Sequence, residues 1–151
     1  MSVVRIQTEP FDTAAVLDEL RAGNPGIGAL VSFTGLVRDI HGDTRVEGMT
    51  LEHYPGMTEK ALQSIVAEAE SRWELQGVRV IHRVGELEPG DPIVLVATAS
   101  AHRRNAFAAC EFIMDYLKTR APFWKKERTP DGERWVEARE SDVQATRRWK
   151  G

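Results

Sequence analysis

Pro122 interrupts the most strongly patterned stretch of the chain, Phe112 to Glu127. Upstream, Ala106, Phe107, Cys110, Ile113, Met114 and Leu117 recur at helical spacing, which predicts a helix from about His102 to Arg120 with one apolar face. A proline removes a backbone donor and clashes with the preceding turn, so that helix has to end before it. The chain resumes as an aromatic and basic run, Phe123-Trp124-Lys125-Lys126. Lys118 and Arg120 need no function where they stand, because cations stabilise the negative end of a helix dipole. Lys125 and Lys126 follow large apolar side chains. Lysines beside buried surface are candidates for anion binding or proton transfer.

The remaining pattern reads as one α+β domain over residues 1–151, with about three helices and antiparallel sheets. Strands are expected at Val3–Gln7, Ile27–Val37, Val46–His53, Val78–Val84 and Ile93–Ala99, and Ile27–Val37 is expected to be largely buried. Asp12 should cap a helix to about Ala22, and Thr58 a second to about Trp73, with Ala61, Leu62, Ile65, Val66 and Ala69 as its apolar stripe. Arg38–Thr44 reads as a loop. Phe123–Arg128 and Arg134–Ala138 should form a hairpin around Thr129-Pro130-Asp131-Gly132-Glu133. The polar tail from about residue 140 to 151 receives no assigned structure.

Bulk properties exclude several functions. With 151 residues, 42% hydrophobic and 28% charged, the chain can bury a real core. A net charge of −3 and a pI near 5.8 argue against a general nucleic-acid binder. No run approaches a membrane span, and the N-terminal residues lack a signal peptide's apolar core. A lone cysteine, Cys110, fits a reducing compartment, so the cytoplasm is the expected location.

Cys110 falls on the apolar stripe and reads as a small buried hydrophobe rather than a nucleophile. His41, His53, His82 and His102 show no metal-ligand spacing, and His82 reads as structural. His102, Arg103 and Arg104 stand where a helix begins. They make either an anion site or a solvated basic helix start. Arg38 ends a strand at the edge of a loop, where site residues and ordinary surface arginines both occur. His102 and Lys118 lie 16 residues apart in one helix, hence roughly 24 Å from each other. If both touch one small substrate, they must come from two copies of the chain.

Several segments together resemble the large, catalytic subunit of molybdopterin synthase. They are Val31-Ser-Phe-Thr-Gly-Leu-Val-Arg38, Leu51-Glu-His-Tyr-Pro-Gly-Met-Thr-Glu-Lys-Ala61, Ile81-His-Arg-Val-Gly-Glu-Leu87, Ser100-Ala-His-Arg103, Phe112–Glu127 and Arg134-Trp-Val-Glu-Ala-Arg-Glu140. The resemblance implies an α/β hammerhead-type fold and a homodimer. It also implies a small ubiquitin-like sulfur-carrier subunit on each copy, giving a heterotetramer. The carrier's C-terminal Gly-Gly, as a thiocarboxylate, would supply two sulfurs to cyclic pyranopterin monophosphate to form the molybdopterin dithiolene. No metal or other cofactor, nucleic acid or membrane is implied. The family's catalytic lysines fall on Lys118 and Lys125, and its substrate contacts on Arg38, His102, Arg103, Lys126 and Arg139. The family often carries a lysine where this chain has Leu36. The alternative reading is a non-catalytic module that binds a ubiquitin-like tail.

Overall fold

The computed structural model describes residues 2–136 and 140–150. In chain order the elements are β1 (Ser2–Gln7), α1 (Thr13–Arg21), β2 (Ala29–Leu36), β3 (Ile40–His41), β4 (Thr44–Arg45), β5 (Gly48–His53) and α2 (Met57–Arg72). They continue with β6 (Gly77–Arg83), β7 (Gly85–Leu87), β8 (Pro92–Ser100), α3 (Arg103–Arg120), β9 (Phe123–Thr129), β10 (Gly132–Val136) and α4 (Glu140–Arg147). The architecture is α+β. One sheet has the order β1-β6-β8-β2, parallel only between β1 and β6, and a second, antiparallel sheet has the order β10-β9-β5-β7.

Burial follows strand position. Every residue of β6 is buried, and so is every residue of β8 after Pro92, both being central strands of their sheet. Helices α2 and α3 supply Leu62, Ile65, Val66, Ala69, Cys110, Phe112, Ile113 and Leu117 to the same core. The Ile27–Val37 stretch departs from expectation. Its strand β2 is a sheet edge, and Ser32, Phe33 and Thr34 are exposed. Phe107 departs likewise: it is 62% exposed on α3, which packs against β2. An apolar pattern shows that a side chain avoids water. It does not show whether the cover comes from the same chain.

Three further differences have local causes. Within Arg38–Thr44, the loop expected from polarity contains a two-rung hairpin of β3 and β4, turning at Gly42 with φ +64. The β9–β10 hairpin closes more tightly than expected, with Thr129 already paired to Gly132. The polar tail forms α4, and Trp149 beyond it sets its edge against Trp73 and Phe112, with ring centroids 5.5 Å apart in both pairs. The Trp149 indole N–H and the Arg148 guanidinium both donate to the Asp115 carboxylate of α3. Among the described residues, no helix is long and apolar enough to cross a membrane.

Thr58 does something other than cap α2. The N-cap is Gly56, whose N–H donates to the Glu59 carboxylate at 2.8 Å. Thr58 lies fully buried in the first turn, where its hydroxyl accepts from the Tyr54 N–H at 2.9 Å and donates to the Pro122 carbonyl at 3.0 Å. This ties the start of α2 to the point where α3 gives way to β9. Thr58→Val keeps the shape but leaves both backbone groups without their partner. Such a loss costs about 1–3 kcal/mol. The urea midpoint of the variant should fall accordingly at unchanged m-value, whereas an unmoved midpoint would show that the tie is dispensable.

Candidate active site

The Pro122 break decides which side chains meet. Helix α3 ends at Arg120, Ala121 is extended, and the Phe123 N–H returns to the Ala121 carbonyl at 2.9 Å. The chain then enters β9, paired to β5 from Phe123↔His53 to Arg128↔Gly48. Successive side chains of a strand alternate between faces. Phe123, Lys125 and Glu127 therefore share the inner face, and Trp124, Lys126 and Arg128 the outer one.

On the inner side lies a cavity of about 350 Å³. It is lined by Lys118 from the last turn of α3, Lys125 from β9 and Arg38 from the segment after β2, together with Leu36, His41, His82, Phe123, Glu127 and Asp142. A shallower groove beside it shares Val37, Arg38, Ile40 and His41. Three cations from three elements thus converge on one hollow. Such a hollow suits an anion that has to be both bound and aimed.

Of the residues singled out in sequence, Arg38, Lys118 and Lys125 come together. His102 and Arg103 do not: they are the N-cap and first residue of α3, exposed, at the far end of the helix from Lys118. Lys126 turns to the outer face, with its ammonium 3.3 Å from the Glu133 carboxylate and 5.0 Å from the centre of the Trp135 ring. Its place beside Lys125 in sequence is what separates them in space. Arg139 lies outside the described residues.

Sequence reasoning missed the polar frame of the cavity. Glu127 has a side chain only 5% exposed, yet its carboxylate is well supplied with donors. His41 Nδ1 lies 3.0 and 3.1 Å from its two oxygens, and Arg134 donates through Nε and a terminal nitrogen at 3.3 and 3.2 Å. The contact pins the β3–β4 hairpin, which follows Arg38, to the strand that carries Lys125. The signal was available in the alternation of residues 123, 125 and 127, but the partner lies 86 residues away.

His82 forms part of the wall. Its ring stacks on Phe123 with centroids 3.8 Å apart and planes 15° apart, and Nδ1–H donates to the Arg83 carbonyl at 2.8 Å. Burial pushes its pKa down to about 3, and the positive charges of Lys125, Lys118 and His53 push the same way against that hydrogen bond. Cys110 is buried, donates to the Val96 carbonyl at 3.7 Å, and is pushed up to about 12 by burial and by Glu111. A thiol so placed stays protonated and unreactive. Among the described residues, no group of three or more His, Cys, Asp or Glu side chains could hold a metal ion.

Residues 6–120 match the family described as MoaE protein. The chain belongs to the MoaE family. The molybdopterin synthase catalytic subunit of Pseudomonas aeruginosa is 59% identical over 147 residues, covering 97% of this chain and 98% of that protein. Among solved structures, the molybdopterin biosynthesis MoaE protein from Burkholderia ambifaria MC40-6 is similar with a TM-score of 0.85 at 60% identity, over 99% of this chain and 98% of that one. The molybdopterin synthase from Staphylococcus aureus is similar with a TM-score of 0.81 at 35% identity, over 87% of this chain and 95% of that one.

The ionisation of His82 makes this MoaE-family fold acid-sensitive in a defined window. A histidine whose folded pKa is about 3 against 6.5 unfolded binds fewer protons when folded, so its neutral form supports stability above pH 6.5. That support is lost as pH falls from 6.5 toward 3, at up to about 1.4 kcal/mol per pH unit. In urea titrations across this window, His82→Phe should lose stability less steeply than the parent. Parallel slopes would contradict the burial-driven shift.

Proposed function

We propose that the chain is the catalytic subunit of a molybdopterin synthase. It accepts the thiocarboxylated C-terminal Gly-Gly of a small ubiquitin-like carrier subunit and transfers two sulfurs to cyclic pyranopterin monophosphate, in the cytoplasm. The observation that carries this reading is the convergence of Arg38, Lys118 and Lys125 on one cavity, in a chain 59% identical to a protein of that name. A thiocarboxylate and a cyclic phosphate are both anions, and three convergent cations serve both.

We assign the roles by position. Arg38 presents a planar fork of donors suited to phosphate oxygens. Lys118, at the negative end of α3, polarises or protonates the pterin side chain as sulfur adds and the cyclic phosphate opens. Lys125 holds the carrier's carboxyl group in line with it. Sulfur arrives on the carrier, which leaves the buried Cys110 without a part in the chemistry.

A second copy of the chain completes the site. The unpaired edge of β2, with Phe33 at 42% exposure and Leu36 at 54%, adjoins α3 with its exposed Phe107. Covering this face with a twofold partner removes the edge and its apolar side chains from water. It also lets His102 and Arg103 of one copy reach the cavity of the other, and a carrier on each copy then gives a heterotetramer.

Turnover of cyclic pyranopterin monophosphate with purified thiocarboxylated carrier tests the reading. Lys118→Ala should remain folded and dimeric and lose product formation by about 100-fold or more, the usual scale for a lost proton-transfer group. Near-normal product formation by this variant would contradict the role. Capture of the carrier without turnover by the unaltered chain would favour a binding module instead.

A further inference from the structure

Helix α4 brings to the cavity a carboxylate that the proposed mechanism leaves unused. Between residues 141 and 150, Asp142, Ala145, Thr146 and Trp149 are turned away from water, and all the others are exposed. That i, i+3, i+4, i+7 spacing is one face of a helix. The face is fastened at its far end. There the Arg72 guanidinium donates to the Trp149 carbonyl at 2.7 Å, and Arg148 pairs with Glu111 and Asp115 at 2.9 and 2.8 Å. The first member of the face, Asp142, is half-buried where an apolar residue is the usual choice, and it lines the same cavity as Arg38, Lys118 and Lys125. The other acid of the wall, Glu127, has its two oxygens engaged by His41 and Arg134. No hydrogen bond or ion pair from a described residue reaches the Asp142 carboxylate, and Arg38 and Lys118 share the cavity with it without pairing.

A hollow that receives anions is not improved by an open carboxylate, which repels phosphate and thiocarboxylate alike. Its counterpart has to be a part of the substrate that donates. The pyranopterin has such a part away from its phosphate: the 2-amino-4-oxopyrimidine ring presents N3–H and the 2-amino group side by side. Two parallel N–H donors match the two oxygens of one carboxylate, as those of a guanidinium do. Taking its substrate from the sulfur-transfer reading, on which it rests, we propose that Asp142 is the specificity-determining residue for the pterin. Its carboxylate accepts from N3–H and the 2-amino group, while Arg38 and the lysines hold the anionic groups. The substrate is thereby gripped at both ends, each by wall groups of the matching kind. A first-turn acid also suits the positive end of a helix dipole. That role alone would be indifferent to which pteridine is bound.

Ligand discrimination tests the contact without turnover. Lumazine carries a carbonyl in place of the pterin's 2-amino group, so it offers a carboxylate one donor beside an acceptor. By calorimetry, the full-length chain should bind 6-hydroxymethylpterin phosphate about ten- to hundredfold more tightly than 6-hydroxymethyllumazine phosphate, the scale of a lost hydrogen bond to a charged group. Asp142→Asn presents one acceptor and one donor, the complement of the lumazine edge, and should bring the two affinities within about threefold or reverse their order. Equal affinities in the unaltered chain, binding of neither ligand by it, or a preference unmoved by Asp142→Asn would overturn the proposal. In turnover assays with thiocarboxylated carrier, Asp142→Asn should raise KM for cyclic pyranopterin monophosphate about tenfold with kcat within about twofold, as when binding common to ground and transition states is lost. An unchanged KM would overturn the proposal as well. If the Asn variant does not fold, Asp142→Ala, which should lose the preference likewise, decides. Selective pterin binding by an unaltered chain that turns nothing over would count against the sulfur-transfer reading alone.

Discussion

The hydrogen bond from the Thr58 hydroxyl to the Pro122 carbonyl fixes the junction on which the site depends. Pro122 stops α3, but stopping a helix does not set the direction in which the chain leaves. Direction comes from the buried Thr58, which receives the Tyr54 N–H on one side and reaches the proline carbonyl on the other. The start of α2, the end of α3 and the start of β9 are joined through one side chain. With the junction fixed and β9 in register with β5, the inner face of β9 is Phe123, Lys125 and Glu127 rather than Trp124 and Lys126. A slip of one residue would exchange these two faces and turn Trp124 and Lys126 inward in place of Phe123 and Lys125.

Within that frame the cavity keeps positive charges available to a ligand. Of its two acidic wall residues, Glu127 and Asp142, Glu127 is engaged by His41 and Arg134, and this engagement braces the hairpin that follows Arg38. His82 contributes a polar wall without charge. The arrangement draws anions in, and Glu127, His41 and His82 are each held by protein partners before any ligand arrives.

Much of this was legible in the sequence, for identifiable reasons. Helix α3 and strand β8 declare themselves through periodicity, and Pro122 marks the break between Lys118 and Lys125. The α+β class follows from the same patterns. Relations between distant segments were not legible. Nothing near Thr58 announces a partner at Pro122, and nothing near Glu127 announces His41. The strand period alone could have separated Lys126 from Lys125, had β9 been anchored in register. The Ile27–Val37 stretch misled because an apolar strand at a sheet edge has the same composition as a buried strand. His82 was read as structural on the grounds of its strand. Only its place in the cavity wall distinguishes it.

The central claim is that the site is assembled from the Lys118 end of one helix and the His102 end of the same helix in another copy. Mixed dimers test it directly. Lys118→Ala and His102→Ala chains should each be nearly inactive alone, since every site in either parent lacks one residue. After unfolding, mixing and refolding together, half the dimers carry one intact site, so activity should return to about a quarter of the unaltered level for a symmetric dimer. A His102→Ala parent that is fully active, or a mixture with no more activity than its parents, would contradict a site built from two copies.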